Sequence, residues 1–584
     1  MAASTSFAAV ATHCYSRAAL WALSNGRGEK SPREASRAMS IICHLMMSLF
    51  AARRRANAMG GASTEPRAGK RWFPKVADDA WKLPNGLEKK VMSPALVVDL
   101  AKVRENVQRM MLLLGPTWAC DWRPHLKTTK MSCVWAELLK MGMTQFKVAT
   151  TKEAALLTET ITEYVEEILN GKHPDVDELD YIPLGSERAK RKYHLLKEFG
   201  YDILVAYPLV GPSLDRLADL ATMNGEIQYA VLIEAPVDLD GPDVPSTLKR
   251  GFENNLGYFV DVNPGMHRTG MPIQKYDEKT TTVGGKTVRD YDLDDRNEHV
   301  YRAAASVKSG FRGFHFYEGH VSDCADFAGA TDADREVALT KRKEACHALY
   351  REYLIPLLRY VVSRAEVESG GEGLWFDRCE VVTSGTPAFM AAFYFHFNGA
   401  FSRVHDAGFA RAIERNVFIH TVSPGTVVFH DWRGERQNPN LGLVPAAVVM
   451  SRVVSLPAPG RITLDCGSKA LACEAGDPAG YVLGKPEWEA LACSEEHLPC
   501  VVRLDDDAVA GPKRRKTLNA STTIARRGDV VFVVPEHICP TVNLATHAIV
   551  LDGGRFVGVK EVGARGHEVM VDRGEVFGGI SIQP

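Results

Sequence analysis

The chain reads as an α/β protein in which a (β/α)8 barrel or a doubly wound parallel sheet over residues 92–409 is followed by a mostly β domain over 410–584. Three observations carry this expectation. From about Ser93, short β-branched runs alternate with helix-patterned stretches, the signature of a parallel sheet. After about Ala410 the helical periodicity gives way to short β-type runs set between turn residues. Finally, 584 residues of which 45% are hydrophobic exceed what one core usually serves, so more than one folded domain is expected.

Residues 1–75 precede the first strand as a targeting or disordered extension. Residues 1–71 carry eleven Lys or Arg against three Glu, with many Ala and Ser, which resembles an organelle transit peptide in composition. If it is one, the compartment is a mitochondrion or plastid; otherwise it is the cytoplasm. The first strand is expected at Ala95–Asp99, before a helix with apolar Val103, Val107, Met110, Met111 and Leu114. Further strands are expected at Phe146–Thr150, Asp202–Tyr207, Gln228–Ile233, Tyr258–Val262, Gly313–Tyr317 and Glu380–Thr383. The charged stretch Tyr164–Lys192 reads as an insertion, and Lys279–Asn297 as a surface excursion. In the second domain, Gly425–Phe429, Ala447–Met450, Arg461–Leu464 and Val530–Val534 read as strands, and the basic run Pro512–Lys516 as a solvated loop.

Composition narrows the function. A net charge of −2 supplies no basic field for nucleic acid or an anionic membrane, so neither is an expected partner. The apolar run Ile41–Ala52 is about half of the roughly 20 residues a spanning helix needs. Twelve cysteines without a CxxC pair fit neither a zinc ribbon nor a disulfide framework and point to a reducing compartment. A small molecule is the expected partner.

Four segments could carry chemistry. Arg123–Lys130 is an extended, Pro-containing segment that delivers Lys127 just before a helix beginning near Ser132, at a strand's C-terminal end where barrel enzymes build their sites. A partly desolvated lysine near other cations can form a Schiff base, although a lone lysine is more often an ordinary surface residue. Phe259–Gly270 runs from an apolar strand into a Gly-bounded turn presenting Asp261, His267 and Arg268; the arginine could hold a phenolate or phosphate oxygen or simply cap the strand. In Glu380–Pro387 a strand ends in small residues whose N–H groups and hydroxyls could cradle phosphate, although such residues also make ordinary turns. In extended backbone His537 and Cys539 would project to one side, presenting two of zinc's preferred donors; a buried free cysteine is the alternative.

Taken in order, Arg123-Pro124-His125 with Lys127-Thr128, Gly265–Gly270, Tyr317–His320, Thr383–Pro387 and His537–Thr541 resemble the family of D-threonine aldolases and eukaryotic-type D-serine dehydratases. That family is a branch of the alanine-racemase-fold pyridoxal-phosphate (PLP) enzymes, and the similarity runs from about Ser93 to the C-terminus. It implies the alanine racemase type of (β/α)8 barrel, with a metal site in the C-terminal β-rich domain. It further implies that Lys127, rather than Lys130, is the Schiff-base lysine and that Arg268 lies beside the cofactor's phenolic oxygen. Ser384, Gly385 and Thr386 would contact the phosphate, Tyr317 and His320 would line the site, and His537 and Cys539 would bind a divalent metal, zinc by preference. A homodimer is also implied. Departures from the family pattern exist: Thr129 stands where a histidine is usual, His315 and Ser322 stand where the dehydratases carry tyrosine, and Cys539 resembles the zinc-dependent dehydratases rather than the aldolases.

The resemblance therefore implies a lyase acting on D-3-hydroxy amino acids by retro-aldol cleavage or by dehydration, with His320 as a candidate base. A racemase would leave His537 and Cys539 without a task. A PLP-binding protein without turnover would not need the large β domain.

Overall fold

The protein is described by a computed structural model that covers residues 81–115, 118–170, 200–237, 255–283, 286–322, 332–395, 412, 417–502 and 525–569. The N-terminal extension, the basic run Pro512–Lys516 and the expected boundary at 409/410 lie outside the described residues.

Strand β1 (Ala95–Asp99) leads into the helix Leu100–Leu114, whose Val103, Val107, Met110 and Leu114 are buried on one face as their spacing requires, with Met111 half-buried at its margin. The next strands are β2 (Gln145–Val148), β3 (Asp202–Val205), β4 (Gln228–Ile233) and β5 (Leu256–Asn263). The short β6 (Met271–Pro272) pairs with β5, and β7 (Glu278–Val283) and β8 (Lys286–Tyr291) form an antiparallel hairpin within the expected surface excursion. Strands β9 (Phe311–Phe316), β10 (Cys379–Thr383) and β11 (Phe418–Val422) complete a parallel sheet in the order β11-β10-β9-β5-β4-β3-β2. Its β4, β5 and β10 segments are buried almost throughout, as expected for strands covered on both faces.

The sheet closes on itself through a segment that carries no strand label. Trp122 bridges Val422 of β11 and His125 bridges Lys147 of β2, both in parallel. Backbone hydrogen bonds fix both seams: Arg123 N donates to Val422 O at 3.0 Å and Lys147 N to Pro124 O at 3.0 Å. Seven parallel strands plus Trp122–His125 make eight staves, the (β/α)8 barrel. Arg123 crosses its floor. The fully buried guanidinium donates to both carboxylate oxygens of Glu380 on β10, at 3.1 and 2.8 Å, and to Asp202 on β3 at 2.8 Å. Burial opposes the charge, yet the two carboxylates raise the arginine above its ordinary value.

The second sheet contains β12 (Ala447–Ser455), β13 (Arg461–Leu464), β14 (Gly480–Val482), β15 (Trp488–Ala490), β16 (Leu498–Val502), β17 (Val530–Pro535), β18 (His547–Asp552) and β19 (Arg555–Glu561). Strand β1 belongs here and not to the barrel, pairing antiparallel with β12 and parallel with β18. Its period-two alternation serves two cores: Leu96 and Val98 join the large barrel-side cluster, Val97 the opposite cluster with Trp81 and Met450. Conversely, Phe418–Val422 lies beyond residue 409 yet is a barrel stave. The expected strand at Gly425–Phe429 is instead a 3-10 turn, Thr426–Val428. Gly425 brings that turn against the barrel, where a Cβ would sit 2.3 Å from His125 O.

Candidate active site

Lys127 sits in a single 3-10 turn, Leu126–Thr128, directly after the closing stave and before the helix Ser132–Lys140. The turn puts its side chain at the C-terminal mouth of the barrel, exposed, while Leu126 and Thr128 are buried. Lys130 has a different task. It is buried, adopts a left-handed φ of 52°, pairs with Glu153 at 2.6 Å and donates to Ala564 O at 3.2 Å. Only Lys127 of the two is open to a ligand. Thr129, where the resembling family carries histidine, is buried and accepts a hydrogen bond from Trp135 Nε1 at 2.7 Å.

Arg268 lies in the turn after β5. Asn263 Oδ1 accepts from Gly265 N at 2.9 Å and His267 N at 3.0 Å, folding the turn. Gly270 is required there, since a Cβ would meet the Val262 carbonyl carbon at 2.6 Å. The Arg268 guanidinium stands 4.7 Å from the ring centroid of Tyr317, which follows β9. Burial raises the Tyr317 phenol, while Arg268 pulls the other way. His320, three residues on, faces the same turn: a Cβ on Gly265 would lie 3.6 Å from its Nε2.

The segment after β10 packs against the same tyrosine, for a Cβ on Gly385 would lie 3.2 Å from its ring. Ser384 is fully buried with a φ of 50°, and its Oγ has no hydrogen-bond partner among the described residues. Its N–H donates to Glu318 Oε2 at 3.1 Å. Thr386 Oγ1 accepts from Thr426 N at 3.1 Å. An orphaned buried hydroxyl beside Gly385 and Thr386 is the donor set that a phosphate group would complete.

The second domain reaches this mouth through the helix Ile538–Leu544, which His537 precedes in extended conformation. Cys539 is therefore in the first helical turn and not in the extended backbone expected for it. The pair is nonetheless brought together and hydrogen-bonded. Burial opposes both shifts, but the thiol, with Asp431 and Glu474, carries His537 up to about 9, and His537 draws Cys539 below its ordinary value. Asp431 Oδ2 accepts from Ile538 N at 2.9 Å and anchors the helix start, while Glu474 contacts His537 Nδ1. Cys539 Sγ lies 3.1 Å from Thr128 Oγ1 and 3.5 Å from Thr426 Oγ1. Imidazole and thiol fit a divalent metal as donors, but among the described residues no group of three or more His, Cys, Asp or Glu is arranged to hold one.

Four further buried ionisable groups line this mouth, of which the sequence singled out only Asp261, as presented by the turn after β5. Lys147 on β2 touches His315 Nε2 at 3.3 Å, and His315 Nδ1 lies 2.7 Å from Asp261 Oδ1. Burial, and then the charge of Lys127, brings Lys147 down to about 7; burial and then Lys147 lower His315. Burial pushes the Glu318 carboxyl up to about 7, although Tyr350 OH donates to it at 2.8 Å. The sequence signal for Lys147 was a lysine inside an apolar strand; for the other three only the fold supplies proximity.

Residues 446–551 match the family described as "Putative serine dehydratase domain". A D-threonine aldolase of an Arthrobacter species is 28% identical over 188 residues, 32% of this chain and 40% of that protein. A 3-hydroxy-D-aspartate aldolase of Paracoccus denitrificans is 25% identical over 372 residues, 62% of this chain and 74% of that protein. The match thus spans well under half the length of the first relative. Among solved structures, D-threonine aldolase from Filomicrobium marinum superposes with a TM-score of 0.51 at 17% identity, covering 81% of this chain and 95% of its own, a likeness of fold. Over residues 446–551 the chain thus matches the putative serine dehydratase domain, it is similar in sequence to a D-threonine aldolase and a 3-hydroxy-D-aspartate aldolase, and its fold is like that of D-threonine aldolase.

Proposed function

We propose that the protein is a PLP-dependent lyase of D-3-hydroxy amino acids, with retro-aldol cleavage as its first reaction and dehydration as the second reading. The observation that carries it is the contact of Cys539 with Thr128, which puts the expected metal-binding pair beside the residue that follows Lys127. Both curated relatives are named aldolases, which favours cleavage. Bound PLP supplies an electron sink for a bond broken at Cα. Lys127 would carry it, with Arg268 and Tyr317 beside its ring and Ser384, Gly385 and Thr386 holding its phosphate. His537 and Cys539 would hold a divalent metal, zinc by their donor chemistry, supplying Lewis acidity at the substrate's β-oxygen.

For cleavage, a base must take the β-hydroxyl proton, and His320 is the candidate; as the Cα–Cβ bond breaks an aldehyde leaves, and an equivalent proton returned to Cα through Lys127 leaves glycine. For dehydration, Lys127 instead removes the α-proton, the hydroxyl leaves as water on taking up a proton, and the released enamine tautomerises and is hydrolysed by water to a 2-oxo acid and ammonia. The β-hydroxyl is the shared requirement. A homodimer is proposed from family resemblance and is tested by light scattering on the purified chain.

Product analysis on D-threonine and D-serine, with PLP, zinc or manganese and L-enantiomer controls, tests the reading. Glycine plus acetaldehyde from D-threonine supports the aldolase. A 2-oxo acid plus ammonia supports the dehydratase, and no turnover of either overturns both.

A further inference from the structure

Lys147 is a costly residue to place where it is. The residue is 3% exposed, and among the described residues its ammonium group makes no ion pair, touching the imidazole of His315 and standing 5.8 Å from the ring of Tyr317. A buried cation without a counter-ion is costly, and burial favours its neutral form. The groups around it come from three sides. From the closing stave and its turn come His125 and Lys127; from β5 and its turn, Asp261 and Arg268; from β9 and the residues after it, His315, Tyr317 and Glu318. The hydrogen-bond polarity is fixed: the carboxylate of Asp261 accepts from His315 Nδ1–H, leaving Nε2 as an acceptor for Lys147. Lys127 stands two residues after His125, which bridges Lys147 across the barrel seam where Lys147 N donates to Pro124 O at 3.0 Å, and after burial its charge acts most on Lys147.

We propose that Lys147, held by the His315–Asp261 pair, is the acid–base partner of Lys127, taking the proton that the Lys127 ammonium must lose before its amine can bond to a carbonyl carbon. One N–H bond breaks on Lys127 and one forms on Lys147; the transfer reverses when the amine is released, and nothing is oxidised or reduced. Lys147 is thus a positioning residue that acts through Lys127. Its near-neutral value, about 7, lets it hold either protonation state at working pH. The inference rests on the reading of Lys127 as the cofactor-bearing lysine.

The full-length protein, freed of cofactor, is mixed with PLP, and the growth of the protein-bound visible absorbance is followed across pH. In the wild type the rate should rise through a step near neutrality. Lys147→Gln should slow it by about a hundredfold at neutral pH and remove the step. Lys147→Arg keeps the charge but cannot give up its proton, so it should not rescue. His315→Gln, which leaves Lys147 in place without its imidazole, should displace the step and stands in if Lys147→Gln fails to fold, as judged by circular dichroism. A Lys147→Gln protein with the wild-type rate and pH dependence, or full rescue by Lys147→Arg, overturns the proposal. Absorbance that persists in Lys127→Ala overturns the Lys127 reading instead.

Discussion

Cys539 Sγ and Thr128 Oγ1 lie 3.1 Å apart, so a helix of the β-rich domain touches the very turn that presents Lys127. On the proposed reading, this contact would let one small substrate meet both the lysine and the His537–Cys539 pair. If the pair binds zinc, the metal and the cofactor lysine should nevertheless be separable. A chelator should abolish turnover while the visible absorbance of bound PLP remains. Glu474, which contacts His537 Nδ1 and leaves Nε2 for a metal, should matter as an orienting carboxylate. Glu474→Gln is expected to weaken zinc binding by about 10–100-fold in competition with a chromogenic chelator.

Lys127 and Lys130 stand three residues apart and should fail in opposite ways. Lys127→Ala removes an exposed side chain, so thermal unfolding should be unchanged while turnover falls by about a thousandfold or more. Lys130→Ala leaves the fully buried Glu153 carboxylate without its 2.6 Å partner. Breaking a buried pair in this way costs about 3–5 kcal/mol, read as a lower urea midpoint, with residual folded protein still able to bind PLP.

Ser384→Ala separates ligand binding from folding. The Ser384 hydroxyl is buried without a hydrogen-bond partner, so its removal from the cofactor-free protein should not lower the urea midpoint. If a phosphate oxygen completes that hydroxyl, the variant should bind PLP about tenfold more weakly, the worth of a charge-assisted hydrogen bond. Equal affinity in equilibrium dialysis would place the phosphate elsewhere.

Most of the barrel was legible because β4, β5 and β10 are largely apolar runs with β-branched residues and β9 is an aromatic-rich one, all buried almost throughout. The closing stave reads only as an extended segment in sequence, because it is four residues long and contains Pro124, and its pairing depends on strands far along the chain. Ala95–Asp99 is an authentic strand, yet nothing in its five residues reveals that its partners are β12 and β18. At the site, the expected residues carry motifs with local chemistry, such as Arg268 in its glycine turn. Lys147 and His315 lack one, and Asp261 lies in the Phe259–Gly270 segment without a role that its sequence assigns: the three come from three strands, and only barrel closure brings them into a line. His537 and Cys539 meet as expected, but through a helix start instead of strand geometry.

The barrel floor sets the acid limit of the fold. Burial alone would raise the carboxyls of Asp202 and Glu380, but Arg123, with Arg312 at Asp202 and Arg378 at Glu380, outweighs it and holds both below the ordinary carboxylate range. A carboxyl depressed in the folded state adds stability that is present above its unfolded value, about 4, and is lost as pH falls through the folded value. The urea midpoint should therefore be insensitive to these groups above about pH 5 and fall steadily below about pH 4. Arg123→Met should lower stability at neutral pH by about 3–5 kcal/mol, because two buried carboxylates lose their shared partner. It should also shrink the acid slope, since the carboxyls are then no longer held so far down. An Arg123→Met protein with the wild-type acid slope would assign the acid sensitivity to other groups.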